Sequence, residues 1–223
     1  LTAWRRTLDL WCATWFWPDR NPPGRPAVAD VLTSLTGGRA ALSSRTLDQL
    51  LRCAGAAAES ERFLHWPLAF PEVFQDDRGR ESPSGGFDAV LGNPPWDMIR
   101  GDSGDDPTRN VRRTDAQRLT RFVRESGVYA GGATAHVNRY ALFAERALQL
   151  TRRGGRIGLV LPGGILADAG AASLRARLFA AADVDAVVGL DNRGAIFPVH
   201  RSVRFVLLTA TSGTPTQTIR CRF

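Results

Sequence analysis

Lysine is missing from this chain. All 29 basic residues are arginine, set against 22 acidic residues for a formal charge of +7. Genomic base composition alone can produce that bias. Even so, a planar guanidinium fork suits phosphate and guanine edges better than an ammonium does. Cysteine is also scarce: Cys12, Cys53 and Cys221 stand far apart. They form no CxxC and no metal-ligand spacing, a pattern that fits a reducing cytoplasm. No apolar run approaches the ~20 residues of a membrane span, and no signal peptide is present. No repeat and no low-complexity tract interrupts the chain. The first residue is Leu1 rather than methionine, already inside a helical pattern, which reads as an internal piece of a longer protein.

What is present suffices for one α/β domain or somewhat more: 223 residues, 43% hydrophobic and 23% charged. The positive charge is uneven. Residues 151–223 hold ten Arg and four Asp, a net +6, whereas residues 1–150 hold 19 Arg and 18 acids, a net +1. A basic C-terminal third fits a polyanion partner, and a solvated surface explains it about as well.

Leu1, Trp4, Leu8, Trp11 and Trp15 recur at helical spacing and predict one apolar face of a first helix, ended by Pro18. Short helices are expected over 28–35 and 45–58. The aromatic and proline-rich stretch 63–74 is expected to be extended, followed by a polar turn. Phe87–Gly92 reads as a buried strand. A helix is expected near 115–125. A long helix over 137–153 is expected to end on Arg152, Arg153 and Gly154. Strands follow at 156–161, 184–190 and 203–210, with a helix over 171–182. The last two strands are joined by too few residues for a helical crossover and are expected to be antiparallel. The rest implies a largely parallel sheet with covering helices.

The strand at 87–92 stops at Asn93-Pro94-Pro95-Trp96. Sites in open α/β sheets form beyond the carboxyl ends of strands. Each proline fixes its own φ and removes a donor. Pro94 and Pro95 also bias the residues before them away from helix. The tip is therefore stiff, with backbone carbonyls and the Asn93 side-chain carbonyl free to accept, next to the broad face of Trp96. Two acceptors and a ring suit a planar group bearing an exocyclic amine. Acceptors preorganised for positive charge growing on that nitrogen would favour its attack on an activated methyl donor. A rigid turn that merely caps a strand is an equal reading of the bare motif.

The wider pattern is more specific. "HWPLAFPEVF…GGFDAVLGNPPWDMI", "NRYALFAERALQLTRRGGRIGLVLPGGIL" and "DNRGAIFPVHRSVRFVLLT" resemble the adenine-N6 DNA methyltransferases of type IIG-like restriction–modification and phage-defence systems. The resemblance covers most of residues 1–212 and is weakest at 100–133. It implies a partial Rossmann-like class I methyltransferase fold, the catalytic-motif half, preceded by a helical segment. Residues 1–84 would pack on the core, 85–212 would form the catalytic half, and 213–223 would begin a following segment. Asn93 and the Pro94 carbonyl would bind the adenine N6 amine, Pro95 would stiffen the turn, and Trp96 would stack on the base. Phe197 in "IFPVH" matches the aromatic that clamps the other face of a flipped base. Arg201 and Arg204 become candidates for phosphate contact, Tyr140 for the cofactor side, and Asp88 for a structural role.

The resemblance also implies S-adenosylmethionine as donor and double-stranded DNA as partner. Yet the chain has no strand–GxG–helix unit. The cofactor motif would fall upstream of Leu1 and a target-recognition domain after Phe223. The isolated chain is thus expected to be inactive, in need of the remaining methyltransferase half. Glutamine-amide and RNA methyltransferases share the motif but lack the arginine-rich insert and "IFPVHRS"; a non-catalytic DNA-binding remnant is the other alternative. His65, His136 and His200 show no metal spacing, and the Asp102, Asp105 and Asp106 cluster reads as solvated.

Overall fold

The computed structural model describes residues 2–17, 26–39, 42–99, 109–130 and 138–223. A helical layer comes first: α1 (Thr2–Ala13), α2 (Val28–Leu35) and α3 (Ser44–Glu61). Ser43 caps α3 by accepting from the Thr46 amide. Leu10, Ala13 and Trp17 of the first segment pack with Val31, Leu50, Ala54 and Ala57 in a small core of their own. The expected Trp face is therefore rotated. Thr7, Leu10 and Ala13 are buried, while Trp4 is 50% exposed. Trp11 and Trp15 turn instead toward Phe122, with ring centroids 6.2 and 5.4 Å away. The helix has two packed sides, so a single stripe could not describe it.

The stretch expected to be extended contains two one-turn helices, α4 (Trp66–Ala69) and α5 (Pro71–Phe74). Pro67 and Pro71 sit in first turns, where the missing N–H costs nothing. Their rings surround the start of the next strand: Trp66, Phe70 and Phe74 lie 5.3–5.7 Å from Phe87. Asp76 closes the polar turn that follows, accepting from the Arg78 and Arg80 amides and the Arg80 guanidinium.

The remaining elements are β1 (Phe87–Gly92), α6 (Arg109–Glu125), α7 (Arg139–Leu150), β2 (Thr151–Pro162), α8 (Gly164–Ala167), α9 (Ala172–Ala181), β3 (Ala182–Asp191), β4 (Arg204–Ser212) and β5 (Arg220–Arg222). They give a mixed five-stranded sheet in the order β1-β2-β4-β3-β5. β1 and β2 are parallel, as are β3 and β5; β4 runs antiparallel to both β2 and β3, as the short connection required.

The long helix ends earlier than expected. Arg152 and Arg153 lie in β2, not in a last helical turn. Thr151 pairs with Phe87, its hydroxyl donates to the Ala147 carbonyl, and the Arg152 guanidinium meets Asp88 at 2.6 Å. Pairing with β1 thus pulls these residues into the sheet. Gly154, at φ +76°, lets the next residues loop out before Ala89 meets Arg156. Gly86 (φ +131°) is required for the approach: a Cβ there would lie 2.5 Å from the Arg152 nitrogen.

One sheet face is covered. Ile157, Leu159, Leu161, Val184, Val187, Val206, Leu208 and Ala210 pack with Tyr140, Ala144 and Ala147 of α7 and Leu174 and Leu178 of α9. The expectation that β1 is buried fails. Only Phe87 and Val90 are half-buried, the other four residues are exposed, and Leu91 is 80% exposed. The reason is position. Among the described residues β1 pairs only with β2, and no helix covers the sheet face carrying Leu91 and Leu207.

Candidate functional site

Because β1, β2 and β3 run the same way, their carboxyl ends share one end of the sheet, where β4 begins. Three connections meet there: residues 93–99 after β1, residues 163–171 after β2, and residues 192–203 between β3 and β4. Asn93 and Pro95 are exposed, Pro94 is buried and Trp96 is half-buried. Among the described residues nothing donates to the Asn93 side chain or to the Pro94 carbonyl. The exposed Asn93 side chain is therefore open to a ligand, and the carbonyl of buried Pro94 has no donor of its own among the described residues.

Trp96 is anchored from two sides. Its indole N–H lies 3.4 Å from the Val160 carbonyl on β2. Its ring stacks on Phe205, with centroids 5.9 Å apart at 30°. Beyond the tip, the Arg139 amide donates to the Asp97 carbonyl and its guanidinium meets the Asp97 carboxylate at 3.1 Å. These contacts tie the motif to the start of α7.

Phe197 is brought to the same place from a segment a hundred residues away. Its ring lies 5.2 Å from Trp96 at 64° and 4.9 Å from Phe205 at 86°. Three aromatic rings thus close on one another beside the two free acceptors. The Trp96–Phe197 gap is edge-on and too narrow to hold a base as it stands. A planar ligand between them needs roughly 7 Å between parallel rings, two contact distances of about 3.5 Å.

Arg201 and Arg204 are exposed on the same rim, as are His200 and Arg193. Among the described residues neither Arg201 nor Arg204 makes an ion pair, so both charges face solvent. Tyr140 lies in the first turn of α7. It is 4% exposed within the main core, its hydroxyl buried without a hydrogen bond of normal geometry beside Asn138, Asp168 and Arg175. Burial first, and then the Asp168 charge, push its phenol up from the ordinary value. Asp88 is an exposed partner of Arg152. Asp102, Asp105, Asp106 and His136 lie outside the described residues. Among the described residues no three His, Cys, Asp or Glu side chains converge, and no helix is long and apolar enough to cross a membrane.

Two residues at this end escaped sequence reasoning. Phe205 is the floor beneath both other rings. It looks like any strand residue until the register sets it opposite Pro162. Asn192 is completely buried.

The family of Eco57I restriction-modification methylases matches residues 6–197, most of the chain. The chain belongs to that family. The chain matches no curated protein. It is similar in fold to several solved structures. One comes from a study of assembly and conformational transition in a type I restriction–modification system (20% identity, TM-score 0.41, 61% of this chain and 23% of that one). A second is the type IIG restriction endonuclease BpuSI (15% identity, TM-score 0.41, 97% and 26%). A third, from Listeria monocytogenes, is assigned to the class I S-adenosylmethionine-dependent methyltransferases (12% identity, TM-score 0.39, 97% and 64%). The chain spans only part of each relative's length.

Proposed function

We propose that this methylase chain is the base-gripping half of an adenine-N6 DNA methyltransferase from a restriction–modification or phage-defence system. One observation carries the reading: two unoccupied acceptors, the Asn93 side chain and the Pro94 carbonyl, stand beside an aromatic cluster at the carboxyl ends of the strands. An exocyclic amine has two hydrogens to give such acceptors. Asn93 and Pro94 would hold them and stabilise the positive charge that grows on nitrogen. Pro95 would keep the acceptors in place, and Trp96 and Phe197 would stack on the two faces of the flipped base once the Phe197 ring has turned. Arg201 and Arg204 would contact phosphate and set register on the duplex.

S-adenosylmethionine would supply an electrophilic sulfonium methyl. Among the described residues no strand–GxG–helix unit offers it a cradle, so no cofactor contact is assigned, Tyr140 included. The cradle would come from the other half of the methyltransferase domain. The unpaired edge of β1 and its uncovered neighbouring face, with Leu91 80% exposed, fit such a partner half. In this reading residues 1–84 support the catalytic half at 85–212, and 213–223 lead toward a target-recognition region.

The experiment is methyl transfer from radiolabelled S-adenosylmethionine to duplex DNA by the full-length protein, with digestion to identify the methylated base. N6-methyladenine should form in the wild type and be lost in Asn93→Ala. Intact adenine methylation in Asn93→Ala would refute the assignment. Labelling of a peptide glutamine or of RNA, with DNA untouched, would move the same chemistry to another acceptor. Residues 1–223 alone should transfer no methyl group.

A further inference from the structure

Asn192 is 0% exposed, in a loop whose neighbours Gly194, Ala195 and Ile196 are all exposed. Asparagine is seldom buried so completely. Its side chain spends every hydrogen-bonding group on one segment. The amide nitrogen donates to the carbonyls of Phe197 and Val199, each at 3.0 Å, and the amide oxygen accepts from the Phe197 N–H at 2.9 Å. Its backbone closes the same loop: the Asn192 N–H donates to Val203, and its carbonyl accepts from Ala195. Phe197 is therefore gripped at both its N–H and its carbonyl, and only its ring is free to turn. The loop needs such a clasp. Ala195 sits at φ +54°, a left-handed conformation that alanine adopts only at a cost.

We infer that Asn192 is a positioning residue for base capture, acting through Phe197. This rests on the base-stacking reading given above. Phe197 must swing its ring away from Trp96, now 5.2 Å distant, to admit a planar base. A ring that swings about a fixed backbone pivot returns to one stacking geometry. A ring on a loose loop does not.

The test is a double-mutant cycle in the full-length protein, read as kcat/KM for duplex DNA and, separately, KM for S-adenosylmethionine. Asn192→Ala and the isosteric Asn192→Asp, which keeps the acceptor but loses both donors, should each lower kcat/KM for DNA roughly three- to tenfold. That is about one hydrogen bond's worth of positioning; the rest of the three bonds lost in Asn192→Ala, or of the two lost in Asn192→Asp, falls on the stability of the loop. The donor KM should not change. In a Phe197→Ala background, Asn192→Ala should cost less than about twofold more, because its target is gone. Full activity in Asn192→Asp, or the same fold-loss from Asn192→Ala in both backgrounds, would overturn the inference and leave the methylation reading standing. Asn93→Ala separates the two: if it leaves adenine methylation intact, the stacking reading fails and this inference with it.

Discussion

Removing the Phe197 ring exposes the balance on which base capture depends. In the structure the ring contacts Trp96 edge-on at 5.2 Å and Phe205 at 4.9 Å. Opening a slot of roughly 7 Å for a base forfeits the first contact, and an aromatic pair of this kind is worth about 0.5–1.5 kcal/mol. Stacking on the captured base returns about 1–3 kcal/mol. Phe197→Ala removes both the cost and the return, so the net loss is about 1 kcal/mol. That corresponds to roughly a five- to tenfold drop in kcat/KM for duplex DNA. The loss should appear as weaker base capture, seen as reduced fluorescence gain from 2-aminopurine placed at the target adenine. Phe197→Leu, which keeps bulk but not the π face, should fall between. An unchanged or raised kcat/KM in Phe197→Ala would refute stacking by this ring and leave it a packing residue of the loop.

Other outcomes follow from the fold. Leu161, wholly buried, should cost about 2–5 kcal/mol on truncation to alanine, read as a lower urea midpoint. Leu91→Ala should be near neutral for residues 1–223 alone but destabilising in the full-length protein, if a partner half covers it. Burial, and then the Asp9 charge, push the Cys12 thiol up to about 12. At pH 8 a thiol reagent should therefore label exposed Cys221 first and the partly buried Cys12 much more slowly. Burial alone would raise the Asp185 carboxyl, but hydrogen bonds from Thr209 and Arg156 together outweigh it and hold it below the ordinary 3.8. The stability this confers is present above the ordinary carboxylate range and is lost as pH falls through the lowered value. Asp185→Asn should remove up to about 1 kcal/mol of that acid dependence in pH-resolved melting, the half-exposed Arg156 being screened.

Much of the fold was legible because it rests on local chemistry. Phe87–Gly92 and Val28–Leu35 have the expected bounds, and the short link before β4 dictated its antiparallel course. The stiff tip at Asn93 through Trp96 was legible because two consecutive prolines leave few backbone alternatives; its role in base capture is the proposal made above. What failed depended on partners distant in sequence. The end of α7 was set by pairing with β1, the exposure of β1 by its edge position, and the Trp11–Trp15 face by Phe122 of α6. The burial of Asn192 and the place of Phe205 beneath Trp96 follow from strand register, which no single stretch of sequence states.

Among the described residues the outer edge of β1 is unpaired, and this has a consequence for handling the protein. Its residues Phe87, Ala89, Val90 and Leu91 are apolar, and its single charge, Asp88, is already matched by Arg152. Natural edge strands deter intermolecular pairing with unpaired charges, prolines or bulges that act as gatekeepers. Beyond the irregular pairing at Phe87–Ala89 and the prolines that follow Asn93, this strand carries none of that protection among the described residues, so chains without a covering partner are expected to self-associate through it, read as a concentration-dependent rise in apparent mass in light scattering. A charged residue in place of Leu91 would keep such a preparation monodisperse.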